Sequence, residues 1–304
     1  MSPKNSDKVK TLPEAAMLIN DGDTITFSGI SISDHPVALA HELIRQRKRN
    51  LEIAGSAAWY VNNLLIGAGC VDKMIIIADS TEIGGVAPAL RRAVEKGYLT
   101  VEDYSFYAIA CRFMASAIGV PFLPTKSMLG SDMLRNNWLE EGKKFLIMEC
   151  PFSGERVVLV PALKPDVAVI HAQYADEDGN VQILGPTGLI DEQARASSKV
   201  IVTVEKIVSK VFTRNRPELT IIPSFIVDAI VEVPYGAHPT SLYDYYDYDI
   251  DHLKYSYDQS RDEDKFKRYL DEFVFEVENH LGYLERIGGL EKLLQLEHAL
   301  LLLH

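Results

Sequence analysis

The chain has 304 residues, of which 47% are hydrophobic, so it is long enough for one large α/β domain or two small ones. Its 43 acidic residues outnumber 31 basic residues and give a net charge of -12, which argues against nucleic acids or anionic membranes as its main partners. Three widely spaced cysteines and the lack of a long apolar run predict a cytoplasmic protein without disulfides, zinc, an export signal or a membrane span.

Apolar runs of strand length alternate with helical patterns along the first part of the chain. The first run, Ile25 to Ile30, is followed by a helical pattern from Val37 to Arg47. Further runs are Leu51 to Ala54, Met74 to Ala78, Val157 to Val160, Val167 to His171, Val200 to Val204 and Ile230 to Val233. Such continuous runs predict an α/β domain over residues 1–240, with an open, mainly parallel sheet and helices on both faces.

Residues 241–304 have a different pattern. A tyrosine-rich segment from Tyr243 to Tyr257 is interleaved with aspartates, and it suits either an interface or a chain wrapping its own domain. From Asp262 onward the pattern is helical, with one apolar face formed by Phe266, Tyr269, Leu270, Phe273 and Val277 and a leucine-rich end. We expect a helical C-terminal tail that packs on the domain or on a partner.

The loop after the first predicted strand, Ser28-Gly29-Ile30, is a candidate ligand-binding loop. Gly29 allows a ligand to approach the backbone, and Ser33 or Asp34 is predicted to cap the following helix. Such a loop offers backbone donors to a carboxylate, a thioester oxygen or a phosphate. The alternative is an ordinary turn before a capped helix.

A second candidate loop runs from Ala78 to Gly85 and carries Ser80 and Thr81 at the end of a predicted strand, where open α/β sheets bind ligands. The alternative is that one of the two hydroxyls is a helix N-cap. Gly67 and Gly69 form only a GxG pair, which disfavours a dinucleotide site.

Other polar residues allow two interpretations each. His171, at the end of a predicted strand, is either a base or a buried histidine with satisfied hydrogen bonds. Four glutamates are candidate nucleophiles on chemistry alone, although most glutamates are solvated: Glu82, Glu102, Glu149 and Glu205.

Several separate segments, in the same order, resemble the A subunits of family I CoA-transferases, in particular the glutaconate CoA-transferase branch. They are Asp21-Gly22-Asp23-Thr24-Ile25, Thr100-Val101-Glu102-Asp103-Tyr104-Ser105, Val120-Pro121-Phe122-Leu123-Pro124, His171-Ala172-Gln173 and Val233-Pro234-Tyr235-Gly236-Ala237-His238-Pro239. The resemblance covers roughly Lys10 to Gly289. It implies a homologous B subunit, an α2β2 assembly and an active site between the two kinds of subunit.

The resemblance also implies a ping-pong mechanism in which a B-subunit glutamate attacks an acyl-CoA. CoA and acyl-CoA are then substrates, and neither a permanently bound cofactor nor a metal is expected. None of the glutamates here lies in the Glu-Asn-Gly type context of that nucleophile, so no catalytic residue is expected in this chain. The A subunit would line the acyl pocket with Ser28, Gly29, Ile30, Ser80, Thr81, Phe106 and Gly130.

Three positions can be compared with the family pattern. The family has Gly-Gly-Phe where this chain has Ser28-Gly29-Ile30, and Thr81 aligns with a substrate-facing serine. Phe106 replaces a glutamine of the glutaconate enzyme and a catalytic glutamate of related steroid-ring-opening hydrolases, unless it is plain core. Two alternatives therefore remain for the function: a CoA-thioester hydrolase or decarboxylase subunit on the same scaffold, or a non-catalytic structural subunit.

Overall fold

The computed structural model describes residues 8–77, 79–135 and 144–301, with side chains up to residue 297. The strands of the described parts are β1 (Thr24–Phe27), β2 (Leu51–Ala54), β3 (Val71–Ile76), β4 (Ser80–Thr81), β5 (Gly85–Val86), β6 (Thr100–Asp103), β7 (Phe122–Thr125), β8 (Leu146–Glu149), β9 (Arg156–Pro161), β10 (Val167–Asp176), β11 (Val181–Gln182), β12 (Lys199–Val208), β13 (Thr220–Ile222) and β14 (Ala229–Glu232).

The α-helices are α1 (Leu12–Ala16), α2 (Val37–Arg45), α3 (Trp59–Gly67), α4 (Pro88–Glu95), α5 (Phe106–Ala117), α6 (Ile190–Ala196), α7 (Lys210–Asn215), α8 (Ile250–Ser260), α9 (Glu263–Leu270), α10 (His280–Arg286) and α11 (Gly289–Leu301). A π-helical turn, Asp271–Phe275, follows α9 directly.

The central sheet has seven parallel strands in the order β14-β12-β10-β1-β2-β3-β6. Strand β10 is longer than β1. Strand β11 pairs antiparallel with the C-terminal half of β10, and β13 pairs antiparallel with β11. Apolar residues fill the interior strands because helices cover both faces of the sheet. The predicted α/β class with a mainly parallel sheet is confirmed.

One local prediction was wrong. The run Val157 to Val160 lies in β9, which belongs to a separate antiparallel sheet with β7 and β8. In β9, buried residues alternate with partly exposed ones, as is typical of a strand with one covered face. Strand β7, Phe122–Thr125, is an edge strand of this sheet, where Pro124 needs no ladder N–H.

The C-terminal helices pack against α2 and α3 in one continuous core. The five residues of the predicted apolar face are all at least nine-tenths buried. A Cβ atom added to Gly67 would lie 2.0 Å from the Phe266 ring, so this ring sits directly on the backbone of α3. The hydroxyl groups of Tyr60 and Tyr269 lie 2.7 Å apart and join the same two helical layers. The division of the chain near residue 240 stays a prediction.

The tyrosine-rich segment lies along the domain. Tyr246 is buried and donates a hydrogen bond to Glu205 at 2.8 Å, while the carbonyl of Tyr243 accepts one from Gln173 at 3.0 Å. Hydrogen bonds to the C-terminal halves of strands β10 and β12 therefore hold the segment against the central sheet.

Four histidines lie between the α/β core and the C-terminal helices: the buried His41, His238 and His252, and the partly exposed His280. His252 Nε2 lies 2.8 Å from the Tyr269 hydroxyl, and His280 Nε2 lies 2.9 Å from the carbonyl oxygen of Pro234. Burial lowers the pKa of His252 to about 3 and that of His280 to about 4. These rings are consequently held neutral in the folded protein.

Candidate functional site

The loop between β1 and α2 is held in a fixed shape by buried hydrogen bonds. Gly29 has a φ of 110°, and an added Cβ would lie 2.4 Å from the His35 ring, so only glycine fits here. The Ser28 hydroxyl donates to the carbonyl of Asp34 at 3.0 Å and accepts from the N–H of His171 at 3.0 Å. Ser28 is thus buried and braces the loop against β10.

The predicted capping of α2 by Ser33 or Asp34 was wrong. The helix begins at Val37 after Pro36, with no side-chain cap. The Ser33 hydroxyl instead lies 2.7 Å from that of Ser241, and the Asp34 carboxyl is buried beside the loop. Both residues therefore connect the loop to other parts of the molecule.

A cleft lies above the carboxyl ends of the parallel strands β1, β2 and β3, each of which contributes residues from the loop that follows it. About 380 Å³ of atom-free space lies between its walls, open solvent included. The lining residues are Gly29, Ile30, Asp34, Gly55, Ala57, Ile77, Phe106, Pro186, Thr187, Gly188, Leu189, Ile190 and Gln193. This edge of an open α/β sheet is the usual place for a ligand.

The structure brings three of the sequence-predicted residues together in this cleft: Gly29, Ile30 and Phe106. Ile30 and Phe106 are both 43% exposed, so the alternative that Phe106 is plain core is wrong. Phe106 is the first residue of α5, whose N-cap Ser105 accepts a hydrogen bond from the N–H of Ala108 at 3.2 Å. The cap fixes the start of the helix, and with it the ring, at the mouth of the cleft.

Ser80 and Thr81 lie outside this cleft, in the short hairpin β4–β5. Thr81 is buried, and its hydroxyl accepts a hydrogen bond from the N–H of Gly84 at 2.9 Å, whereas Ser80 is exposed. Neither residue is a helix N-cap, because α4 begins at Pro88. Thr81 therefore stabilises the turn of its own hairpin.

Gly130 also lies outside the cleft, in a turn before the 3₁₀ helix Asp132–Leu134. Its φ of 78° explains the glycine. The Ser131 hydroxyl donates to the carbonyl of Met128 at 2.7 Å and does not cap this helix.

His171 belongs to a buried network under the β1–α2 loop. Its Nδ1 lies 2.8 Å from the Thr203 hydroxyl, and its Nε2 lies 3.0 Å from Oε1 of Glu205. Glu205 also accepts a hydrogen bond from the N–H of Tyr235 at 2.7 Å. The interpretation of His171 as a buried histidine with satisfied hydrogen bonds is confirmed.

The glutamates considered as nucleophiles lie away from the cleft lining. Glu205 is bound in the His171 network, Glu102 pairs with the buried Lys144 at 2.5 Å, and Glu82 and Glu149 are exposed. Within the described ranges, no three His, Cys, Asp or Glu side chains are arranged to hold a metal ion. Those ranges also contain no helix long and apolar enough to cross a membrane.

Sequence reasoning found only three of the lining residues, and those it missed include Asp34, Gln193 and the segment Pro186 to Gly188. The available signal was the Gly-Pro-Thr-Gly turn at Gly185 to Gly188, which is typical of a sharp loop. Gln193 had no such signal, because its partners Thr26 and Phe27 are more than 160 residues away.

Comparisons with known proteins agree with the resemblance seen in the sequence. A family model described as Coenzyme A transferase matches residues 9–233. The chain is 37% identical over 296 residues to the A subunit of glutaconate CoA-transferase from Acidaminococcus fermentans, covering 93% of this chain and 92% of that protein. The crystal structure of that organism's glutaconate coenzyme A-transferase matches with a TM-score of 0.90 at 36% identity, over 95% of each chain.

A protein of unassigned function from Archaeoglobus fulgidus is 36% identical over 302 residues. This match covers 97% of the present chain but 66% of the archaeal protein. The present chain thus spans less than two thirds of that relative's length.

Proposed function

Because the chain belongs to the coenzyme A transferase family, we propose that it is the A subunit of a heteromeric CoA-transferase. The enzyme would move CoA between an acyl-CoA and a free carboxylic acid, and its other component would be a homologous B subunit. CoA and acyl-CoA enter as substrates, and a cytoplasmic location stays a prediction. This function is favoured because the chain is 37% identical to two A subunits of CoA-transferases but 29% or less to the ring-cleaving hydrolase subunits that it also resembles. A related decarboxylase structure is likewise less similar, with a TM-score of 0.76 against 0.90 for the glutaconate enzyme.

The observation that carries the proposal is the presence of backbone N–H groups without an acceptor among the described residues that line the cleft. Gly29 and Gly188 both line it, and no described residue accepts a hydrogen bond from either N–H. Donors fixed by the protein stabilise negative charge that develops on a carbonyl oxygen during acyl transfer, because they need not reorient during the reaction. The cleft therefore suits the acyl end of a thioester.

The mouth of the cleft suits a partner that completes the site. Ile30 and Phe106 leave apolar surface exposed there, and the only carboxyl group in the described lining, Asp34, is 8% exposed at the base. We therefore assign the nucleophile to a glutamate of the B subunit. Its carboxylate would attack the thioester carbon and expel CoA thiolate, leaving an acyl-glutamyl anhydride.

CoA thiolate then attacks the glutamyl carbonyl, which releases the first acid and forms an enzyme thioester. A second carboxylic acid reverses these two steps and leaves as the new acyl-CoA. Covalent catalysis divides one difficult exchange into easier steps. In both halves of the reaction, this chain would hold the acyl group and donate hydrogen bonds to its oxygen.

We propose that Ser28, Gly29, Ile30 and Phe106 shape the acyl pocket, Ser28 by bracing the loop. Phe106 gives the mouth of the cleft a phenyl ring, which offers no hydrogen bond to a second carboxylate, and a carboxylate buried in the cleft without a partner would cost several kcal/mol. A monocarboxylic or more apolar acyl group is therefore favoured over glutaconate. Ser80, Thr81 and Gly130 stay predictions as substrate-binding residues, since they lie outside the cleft.

The test is to purify the chain alone and together with the B-type protein from the adjacent reading frame. The pair should exchange CoA between an acyl-CoA and a free acid, and the chain alone should not. Robust exchange by the single chain would overturn the assignment of the nucleophile. Release of free CoA without an acceptor acid would instead support a hydrolase.

A further inference from the structure

The base of the cleft contains a carboxyl group that the transfer mechanism does not use. Asp34 is 8% exposed, and its Oδ1 is buried without a hydrogen-bond partner among the described residues. Its φ of 63° lies in the left-handed region, which aspartate adopts more readily than most residues. The Asp34 N–H donates to the carbonyl of Ser241 at 2.9 Å and its carbonyl accepts from Ser28, so the backbone position is fixed.

A second acceptor lies in the same wall. Gln193 is 4% exposed, and its Nε2 donates to the Thr26 hydroxyl at 2.7 Å and to the carbonyl of Phe27 at 3.1 Å. Because a backbone carbonyl can only accept, the amide orientation is determined, and Oε1 is the atom left to accept a hydrogen bond. No described residue donates to it. The base therefore presents two acceptors with unfilled capacity.

The depth of the cleft determines which end of an acyl group meets these acceptors. Ile30 and Phe106 are exposed at the mouth, whereas Asp34 and Gln193 are buried. A nucleophile supplied by a partner reaches the mouth first, so the reacting carbonyl lies there. The far end of the acyl chain then points to the base.

We propose that the base of the cleft selects acyl chains whose far end carries a hydrogen-bond donor such as a hydroxyl group, and that Asp34 is the specificity-determining residue that rejects a far carboxylate. The proposal rests on the proposed CoA-transferase function. A hydroxyl donates a hydrogen bond to one of the two acceptors, whereas a carboxylate donates none and is repelled by ionised Asp34. Leaving a buried polar group unpaired is what makes such discrimination strong.

The charge of Asp34 has a defined pH range. Burial raises the pKa of its carboxyl to about 6, against the opposing effects of His171 and the N–H of Tyr243. Tyr246 also interacts electrostatically with Asp34, and its hydroxyl donates a hydrogen bond to Glu205. Asp34 is thus ionised in neutral solution and loses its charge below about pH 6.

The experiment compares acceptor acids in the complex of this chain with its B-type partner. Butyrate, 4-hydroxybutyrate and glutarate are tested with wild type, Asp34→Asn and the control Asp244→Asn. Asp244 is a matched control, because it also has a left-handed backbone, with a φ of 64°, but is exposed. The ratio of kcat/KM for 4-hydroxybutyrate to that for glutarate should fall at least tenfold in Asp34→Asn and stay unchanged in Asp244→Asn.

A ratio is used because a merely structural role of Asp34 would lower all three activities equally. Equal ratios in wild type and Asp34→Asn would overturn the inference while leaving the transferase function intact. Loss of all transfer by a folded Asp34→Asn complex would show that Asp34 takes part in the reaction, and would also overturn it. If the wild-type complex transfers CoA to no acid, the proposed function fails and this inference fails with it.

The wild-type complex provides a second test that needs no variant. Between pH 8 and pH 6 the free acids stay mainly ionised, whereas about half of the Asp34 carboxyl groups become protonated. The ratio of 4-hydroxybutyrate to glutarate activity should therefore fall as the pH decreases from 8 to about 6. A ratio that is constant over this range would contradict the proposal.

Discussion

Replacing Asp79 by asparagine should stabilise the fold, and more so as the pH rises. Asp79 follows β3 and is buried, with its Oδ1 accepting a hydrogen bond from Nδ2 of Asn62 at 3.0 Å. Its Oδ2 has no hydrogen-bond partner among the described residues. Burial raises the pKa of this carboxyl from 3.8 to about 7.

The sign follows from proton binding in the two states. Above pH 4 the unfolded chain releases the Asp79 proton, whereas the folded chain keeps it up to about pH 7, so stability is lost across this range. The loss amounts to about 4 kcal/mol above pH 8 and about 2 kcal/mol at pH 5. Asparagine keeps the bond to Asn62 and removes this loss, although its own unpaired N–H group costs about 1 to 3 kcal/mol at every pH.

Urea unfolding of the purified chain at pH 5 and pH 8 measures the effect. The change in unfolding free energy caused by Asp79→Asn should be more favourable at pH 8 than at pH 5 by about 2 to 3 kcal/mol. The exposed Asp72 on the neighbouring part of β3 provides the control, since Asp72→Asn should show no such difference. The same change in free energy at both pH values for Asp79→Asn would refute the reasoning.

Three further predictions concern the site and the C-terminal helices. In the complex, Phe106→Gln should raise kcat/KM for glutaconate relative to butyrate, because an amide at the mouth offers a carboxylate a hydrogen bond that a phenyl ring cannot. Ser28→Ala should raise the activation barrier of transfer by about 1 to 3 kcal/mol, because it leaves the His171 N–H unpaired. Thr81→Val should raise this barrier only if Thr81 contacts the substrate in the complex. The free energy of unfolding should fall below pH 6.5, by roughly 3 kcal/mol at pH 4 for each of His252 and His280, because the unfolded chain binds the protons that the folded chain excludes.

Each of these has a contrary outcome. A wild-type preference for glutaconate over monocarboxylic acids would remove the role of Phe106. Unchanged kinetics for both Ser28→Ala and Thr81→Val would separate both residues from the site. For the histidines, urea unfolding that gives the same free energy at pH 7 and pH 4.5 would contradict the burial argument.

The sequence predicted the parts of the fold that depend on local pattern. The continuous apolar runs at β2, β10 and β12 identified parallel strands because both faces of such strands are covered. The sequence did not predict that β9 leaves this sheet, because a strand of four apolar residues has the same local pattern in either sheet. The family resemblance added information that a local pattern does not contain, because it rests on several separate segments that occur in the same order.

The site was predicted only in part. Gly29, Ile30 and Phe106 were found because their loops follow strands or carry the family pattern. The Asp34 and Gln193 side chains were not, because their positions depend on contacts with Ser241 and Thr26, far away along the chain. Such acceptors are recognisable only when the partners of each polar atom can be counted.

The contact between Gly67 and Phe266 has a consequence for how related sequences can diverge. Since the ring occupies the space of a Cβ atom at position 67, any side chain there must be accompanied by a smaller residue at position 266. These two positions, one in each half of the molecule, are expected to change together during evolution. The contact between the C-terminal helices and the sheet domain therefore restricts which substitutions are tolerated, in addition to stabilising the fold by packing.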